Sequence, residues 1–149
     1  MSSERIANKV PGTAPPLPVL WMIKELSFDI FGLAPAILSN GFIYCSGQIG
    51  QDEKGKLIKG SISDRVNQIM DNLDKILKAH GSSLENTIKF NIFITSYDDF
   101  KELNETYSKR IPYPPPARSC IGVKSLPFNT DVEIECVAIV PKKSIKAKL

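Results

Sequence analysis

The chain holds a single histidine, a single tryptophan and three cysteines among its 149 residues, and each scarcity closes a route. A Ser-His-Asp triad would have His80 as its only candidate base. His80 also falls where a helix should end, a place where a cation is favoured by the helix carbonyls. A zinc site needs about four ligands in close register. Cys45, Cys120 and Cys136 show no C-x-x-C spacing, and one histidine cannot complete such a set. Metal and triad hydrolysis are set aside. An odd, scattered trio of cysteines reads as a reduced, intracellular protein rather than a disulfide framework.

Long apolar runs are also missing, since no window approaches the roughly 18 residues of a membrane span. Charge of one sign is weak: the net value is +3, and the lysines are scattered without interleaved aromatics. That excludes the usual footprint of a nucleic-acid surface. The basic cluster PKKSIKAKL reads as a solvated tail. The N-terminal stretch MSSERIANKVPGTAPPLPVLW has no charged segment leading into an apolar one, so no secretory signal is expected. Glu4 and several prolines accompany Arg5 and Lys9, which speaks against an amphipathic transit helix. The expected location is cytoplasmic. The peroxisome is the alternative, because Ala147-Lys148-Leu149 is similar to the serine-lysine-leucine address.

What is present suits one soluble domain with a sizeable core: 42% of residues are hydrophobic and 23% charged. An irregular Pro-rich arm is expected over residues 1–25, a domain over 26–141 and the basic tail over 142–149. Residues 21–28, WMIKELSF, alternate loosely as a first strand. Asn40-Gly41 between two apolar runs is a type I′ hairpin signal. Ser61 and Asp64 form an approximate capping box. Val66, Ile69, Met70, Leu73, Ile76 and Leu77 then fall on one helical stripe that Gly81 ends. Ile88, Phe90, Ile92 and Ile94 alternate as a strand. Phe100, Leu103, Tyr107 and Ile111 mark a second helix that Pro112 closes. SCIGV and DVEIECVAIV are two further strands joined by KSLPFNT.

Hairpin, helix, strand, helix, hairpin describes an α+β sandwich with two helices on one face of a single sheet. Towards its end the last strand is apolar on both sides: Val137 and Ile139 on one, Val132, Ile134, Cys136, Ala138 and Val140 on the other. A second subunit is therefore expected over the free face.

The run PPARSCIGVKSLPFNTDVEIECVAI, with FIYCSGQI and FKELNETY, resembles the RidA family, also called YjgF or reactive-intermediate deaminase. The resemblance extends over about residues 33–140, most of the chain. It implies a chorismate-mutase-like α+β fold and a homotrimer with sites in the clefts between subunits. It implies hydrolytic deamination of reactive 2-imino acids, such as 2-iminobutanoate and 2-iminopropanoate, to 2-keto acids and ammonia. That is metabolite damage control. No cofactor or metal is implied, no membrane partner, and nucleic acid is not expected as a ligand.

By this resemblance Arg118 binds the substrate carboxylate and Glu133 positions or activates water. Ser46, Gly47, Asn104 and Cys120 line the pocket. Leu33 stands where the family usually has a pocket tyrosine, and Gly122 where many members carry a larger or charged residue. The tyrosine's absence keeps a non-catalytic ligand-binding trimer open as an alternative, and an endoribonuclease or translation inhibitor is a third reading.

The residues themselves support this chemistry, with plainer alternatives beside it. A guanidinium grips a carboxylate by two parallel hydrogen bonds, and the prolines of residues 112–116 stiffen the approach to Arg118. The plainer reading is an ion pair of Arg118 with Glu133 or Glu135. Those two glutamates share a strand face, about 6.6 Å apart. If KSLPFNT joins a hairpin, Arg118 and Glu133 are near neighbours. Glu135 is assigned to an ion pair at the surface or an interface. A cation beside Cys120 can lower a thiol pKa, but a small lining role is assigned to it.

Overall fold

A computed structural model describes residues 34–141. The N-terminal arm, the strand expected at 21–28, Leu33 and the basic tail at 142–149 lie outside the described residues. Within them the order is β1 (Ala36–Ser39), β2 (Phe42–Ile49), α1 (Ile62–Ala79), β3 (Thr87–Ile94), α2 (Phe100–Ser108), β4 (Ala117–Gly122) and β5 (Val132–Ile139).

Local chemistry sets the first elements. Asn40 and Gly41 take left-handed φ values of 51° and 80°, and β1 turns back on β2 with Ser39 opposite Phe42. At the start of α1 the Asp64 carboxylate accepts the Ser61 backbone N–H at 2.9 Å. All six residues of the expected α1 stripe are buried. At its end His80 lies with Nδ1 2.8 Å from the Ile76 carbonyl, and Gly81 leaves the helix at φ 78°. The histidine is a helix-end residue.

The sheet order is β1-β2-β5-β3-β4, with every neighbour antiparallel except β3 and β4. The expected β4–β5 hairpin does not form, because β3 lies between them. A strand, a covering helix and a parallel strand form one crossover unit, and β3-α2-β4 is that unit. β5 takes an interior place, paired along both edges, with its helix-side residues buried and Glu133, Glu135, Val137 and Ile139 on its other face. β4 exposes Ala117, Arg118, Ile121 and Gly122 and takes the edge. One inward residue also differs from the expected alternation. A bulge between Thr87 and Lys89 turns Thr87 into the core opposite Ala138 and leaves Ile88 exposed.

Both helices pack on one face. Ile43, Val66, Ile69, Met70, Leu73, Phe90, Ile92, Leu103 and Ile134 form a fully buried core there. The other face carries the expected apolar surface: Phe42, Tyr44 and Ile139 remain 37%, 48% and 39% exposed. Arg65 of α1 ties this layer to the sheet by donating through two nitrogens to Asp131, just before β5, and through a third to the Gly60 carbonyl at 2.8 Å.

Leu73 sits at the centre of α1 with no exposed surface. Leu73→Ala is expected to cost about 2–5 kcal/mol, the range for removing a buried leucine side chain where the cavity only partly closes. Urea denaturation at fixed protein concentration measures it. A loss under about 1 kcal/mol would mean that α1 is not packed as described.

Candidate active site

Register decides which face each candidate uses, because residues paired across strands share a face. Arg118 pairs with Phe90, which pairs with Cys136, and both partners are buried under the helices. Arg118, Cys120 and Gly122 therefore face the α2 side, at the exposed edge. Glu133 and Glu135 alternate with the buried Val132, Ile134 and Cys136, so they face the opposite side. The structure gathers the candidates into two groups on opposite faces of one sheet. Arg118 and Glu133 are not neighbours within a subunit, as the hairpin expectation had it.

The first group is built on α2. One Nη of Arg118 donates to the Asn104 side-chain oxygen. The guanidinium carbon lies 5.9 Å from the ring centre of Phe100 and 5.2 Å from that of Tyr107. Positions 100, 104 and 107 follow the three-and-four spacing of one helical face. Tyr107 is in turn held edge-on against Phe90, at 5.5 Å and 88°. Among the described residues the ion pairs belong to Arg65, Lys75, Lys78 and Arg110, and Arg118 makes none. Its charge is met by an amide and two π faces, so the plainer reading as an ion pair with Glu133 or Glu135 finds no support within the subunit. Burial pushes the Cys120 thiol up, against a smaller downward pull from Arg118, which leaves it a lining residue. Gly122 also has a local cause. A Cβ there would come 2.9 Å from the Tyr97 ring, which lies over β4, and the Tyr97 hydroxyl donates to the Cys120 carbonyl at 3.2 Å.

The second group is built on a bulge in β2. Cys45 pairs with Cys136 and Gln48 with Ile134, so Ser46 and Gly47 together stand opposite Glu135. A Cβ on Gly47 would lie 1.8 Å from Glu133 Oε1, so the carboxylate occupies the space a larger residue would take. Ser46 is fastened by its hydroxyl, which donates to the Ala34 carbonyl at 2.6 Å. Gln48, itself buried, donates to the carbonyls of Ser46 and Gly47 at 3.2 and 3.1 Å. Partial burial raises the Glu133 carboxyl above its ordinary range, and the charge of Glu135 adds to the rise. Glu135 accepts from Asn91 at 2.8 Å. Within the subunit its partner is this amide.

One group can seat an anion and the other can exchange a proton with water. Phe100, Tyr107 and Tyr97 were missed as site residues. The signal was available in FKELNETY, where both aromatics share a helix face with Asn104, but a helical aromatic stripe reads first as core.

The family model described as Endoribonuclease L-PSP matches residues 30–140. The protein mmf1, mitochondrial, of Schizosaccharomyces pombe is 46% identical over 107 residues, covering 70% of this chain. The chain spans 65% of that relative's length. A 2-iminobutanoate/2-iminopropanoate deaminase of Dermatophagoides farinae is 34% identical over 106 residues, covering 70% of this chain and 83% of that one. The crystal structure of yeast Mmf1 superposes with a TM-score of 0.72 at 40% identity, covering 74% of this chain and 89% of that one. Relatives in both Schizosaccharomyces pombe and Saccharomyces cerevisiae are named as mitochondrial proteins. These names overturn the cytoplasmic expectation and its peroxisomal alternative. The physical reason is that compartment addresses are short patterns read by receptors, and the chemistry of a folded body is independent of them.

The raised Glu133 carboxyl has a consequence for stability. The folded state holds this proton more tightly than the unfolded state does. The contribution is full below the ordinary carboxyl value of about 4.3 and is lost as pH rises through the raised folded value. The thermal midpoint of the parent minus that of Glu133→Gln is therefore expected to fall between about pH 4 and about pH 7. A difference that stays flat would place Glu133 in ordinary solvent.

Proposed function

The chain belongs to the RidA/YjgF family, whose model bears the description Endoribonuclease L-PSP, and from that premise we propose that it hydrolyses reactive 2-imino acids to 2-keto acids and ammonia. The observation that carries the reading is Arg118, a guanidinium held by neutral groups and bound to no carboxylate among the described residues. Short aliphatic imino acids, 2-iminopropanoate and 2-iminobutanoate, are the proposed substrates. The name of the mite relative supports that choice.

The active unit in this reading is a homotrimer. Opposite-face placement means that one subunit cannot bring Arg118 to its own Glu133, whereas the apolar face around Phe42, Tyr44 and Ile139 suits burial by a neighbour. In the cleft so formed, Arg118, Asn104 and Cys120 of one subunit meet Ser46, Gly47 and the partner subunit's Glu133. Arg118 takes the substrate carboxylate with two in-plane hydrogen bonds. Glu133 accepts a proton from water as its oxygen bonds to the imine carbon and the C=N π pair moves to nitrogen. Returned to nitrogen, that proton gives a carbinolamine. The hydroxyl proton then passes through Glu133 to the same nitrogen as the C–N bond breaks, so the carbonyl forms and ammonia leaves. Partial burial and the charge of Glu135 make this carboxyl hold a proton more readily than an ordinary glutamate, the direction that a group which takes and returns a proton needs. The ribonuclease reading gains nothing from the site, because the chain's one histidine is engaged at the end of α1.

The test couples the protein to a dehydratase that releases 2-iminobutanoate and follows keto-acid formation. Arg118→Lys keeps the charge but loses the planar fork, and it should fail nearly as badly as Arg118→Ala. Glu133→Gln should retain keto-acid binding while its turnover falls on the order of 10²-fold. Light scattering should give a trimer for each variant. A parent that never exceeds the spontaneous rate would leave a ligand-binding trimer in place of an enzyme. A stable 16.5 kDa monomer at micromolar concentration would remove the composite site.

A further inference from the structure

We propose that Tyr107 and Phe100 are positioning residues for substrate binding, their rings forming a neutral seat that fixes the Arg118 guanidinium and leaves its in-plane donors free for a carboxylate. The inference rests on the carboxylate-binding reading of Arg118 and goes further by assigning what makes that arginine selective for an added anion.

An exposed arginine side chain samples many rotamers, and ordering it costs affinity when a ligand arrives. Here α2 removes much of that freedom beforehand. Asn104 takes one N–H, while Phe100 and Tyr107 engage the guanidinium as a cation against aromatic rings. A ring engages the cation through its π cloud and consumes none of its five N–H donors. A carboxylate partner would occupy the same fork that the substrate needs. The seat therefore orders the charge without spending its hydrogen bonds.

The ring of Tyr107 does this work, and its hydroxyl does not. That hydroxyl is buried with no hydrogen-bond partner among the described residues. The phenol is pushed up to about 12 by burial, against the opposing pull of Arg118, so it stays neutral and cannot cancel the guanidinium charge. Behind it Phe90 braces the ring edge-on from the centre of the sheet. The anion seat is thus connected to the core through one aromatic contact.

The experiment uses the full chain, with 2-oxobutanoate binding measured by calorimetry alongside steady-state kinetics on 2-iminobutanoate. Tyr107→Leu and Phe100→Leu should each raise the keto-acid Kd and the imino-acid KM by between about twofold and thirtyfold, the range of a cation–π contact. Their kcat should stay within about a factor of two, because the seat acts on binding and not on proton transfer. The conservative Tyr107→Phe should restore the parent Kd, and it should melt no earlier than the parent, since it removes a hydroxyl that has no partner. A merely structural role would lower the melting point and the active fraction while leaving Kd of the folded trimer unchanged, and that result overturns the proposal. So would a Tyr107→Phe variant that loses binding as Tyr107→Leu does. If Tyr107→Leu does not fold, Phe100→Leu, at the half-exposed first residue of α2, decides the matter alone. Arg118→Ala separates the two levels. Binding lost there but kept in both leucine variants sinks the seat only, whereas binding kept in all three sinks the carboxylate reading beneath it.

Discussion

Successive side chains of a β-strand leave opposite faces of the sheet, and in this protein that alternation decides which candidate residues can meet within one subunit. Arg118 stands level with Phe90 and Cys136 on the helix side, while Glu133 stands among the outward residues of β5. A one-residue slip of β4 against β3 would turn Arg118 outward, away from Asn104, Phe100 and Tyr107. The crossover through α2 makes β4 parallel to β3, and the observed register sets Phe90 level with Arg118 and Ile92 level with Cys120. It also puts the arginine on an edge strand, where its guanidinium is covered on one side only. Each subunit thus carries two half-sites on opposite faces, and the proposed trimer is what would join them.

Two devices hold the second half in place. The bulge at Ser46 and Gly47 sets two residues against one and bends β2 beside Glu133. The Glu133 carboxylate fills the space a Cβ on Gly47 would take, so a larger residue there would push that carboxylate aside. The Arg65–Asp131 pair fixes the entry to β5 two residues before Glu133. Its geometry is that of a bidentate guanidinium–carboxylate contact, the arrangement with the most directional ion-pair chemistry available to a protein. The chain therefore places two arginines in contrary surroundings: Arg65 against an acid, and Arg118 against an amide and two rings with no acid of its own subunit among the described residues.

Features of the fold that depend on neighbours in sequence were legible from the residues. The Asn40-Gly41 turn, the Ser61/Asp64 cap and the buried stripe of α1 each need only local chemistry, and each is found. Non-local pairing was not legible. Nothing within KSLPFNT says whether it closes a hairpin or carries the chain past β3, because a strand's partner is chosen by burial over the whole sheet. The bulge that turns Ile88 out and Thr87 in is set by the register against β5 for the same reason. The family signature drew attention to Arg118, Glu133, Ser46, Gly47, Asn104 and Cys120. It could not show that they divide between two faces. The aromatics of α2 were visible as a stripe, but a ring buried in the core and a ring supporting a cation leave the same mark in a sequence.

Magnitudes explain why a neutral seat suits Arg118 better than an ion pair. A carboxylate built into the same subunit would act as an intramolecular competitor, with an effective concentration on the order of millimolar or more. A short imino acid that hydrolyses spontaneously cannot accumulate enough to displace it. Aromatic rings instead contribute about 0.5–2 kcal/mol of cation–π attraction. That is enough to bias the rotamer and too little, in the wrong direction, to block the fork. On the proposed reading, a substrate carboxylate then gains the charge-assisted pair that no acid of the same subunit has taken. A protein that must capture a scarce anion is better served by weak contacts with the cation's π-facing surface than by one strong contact in its plane.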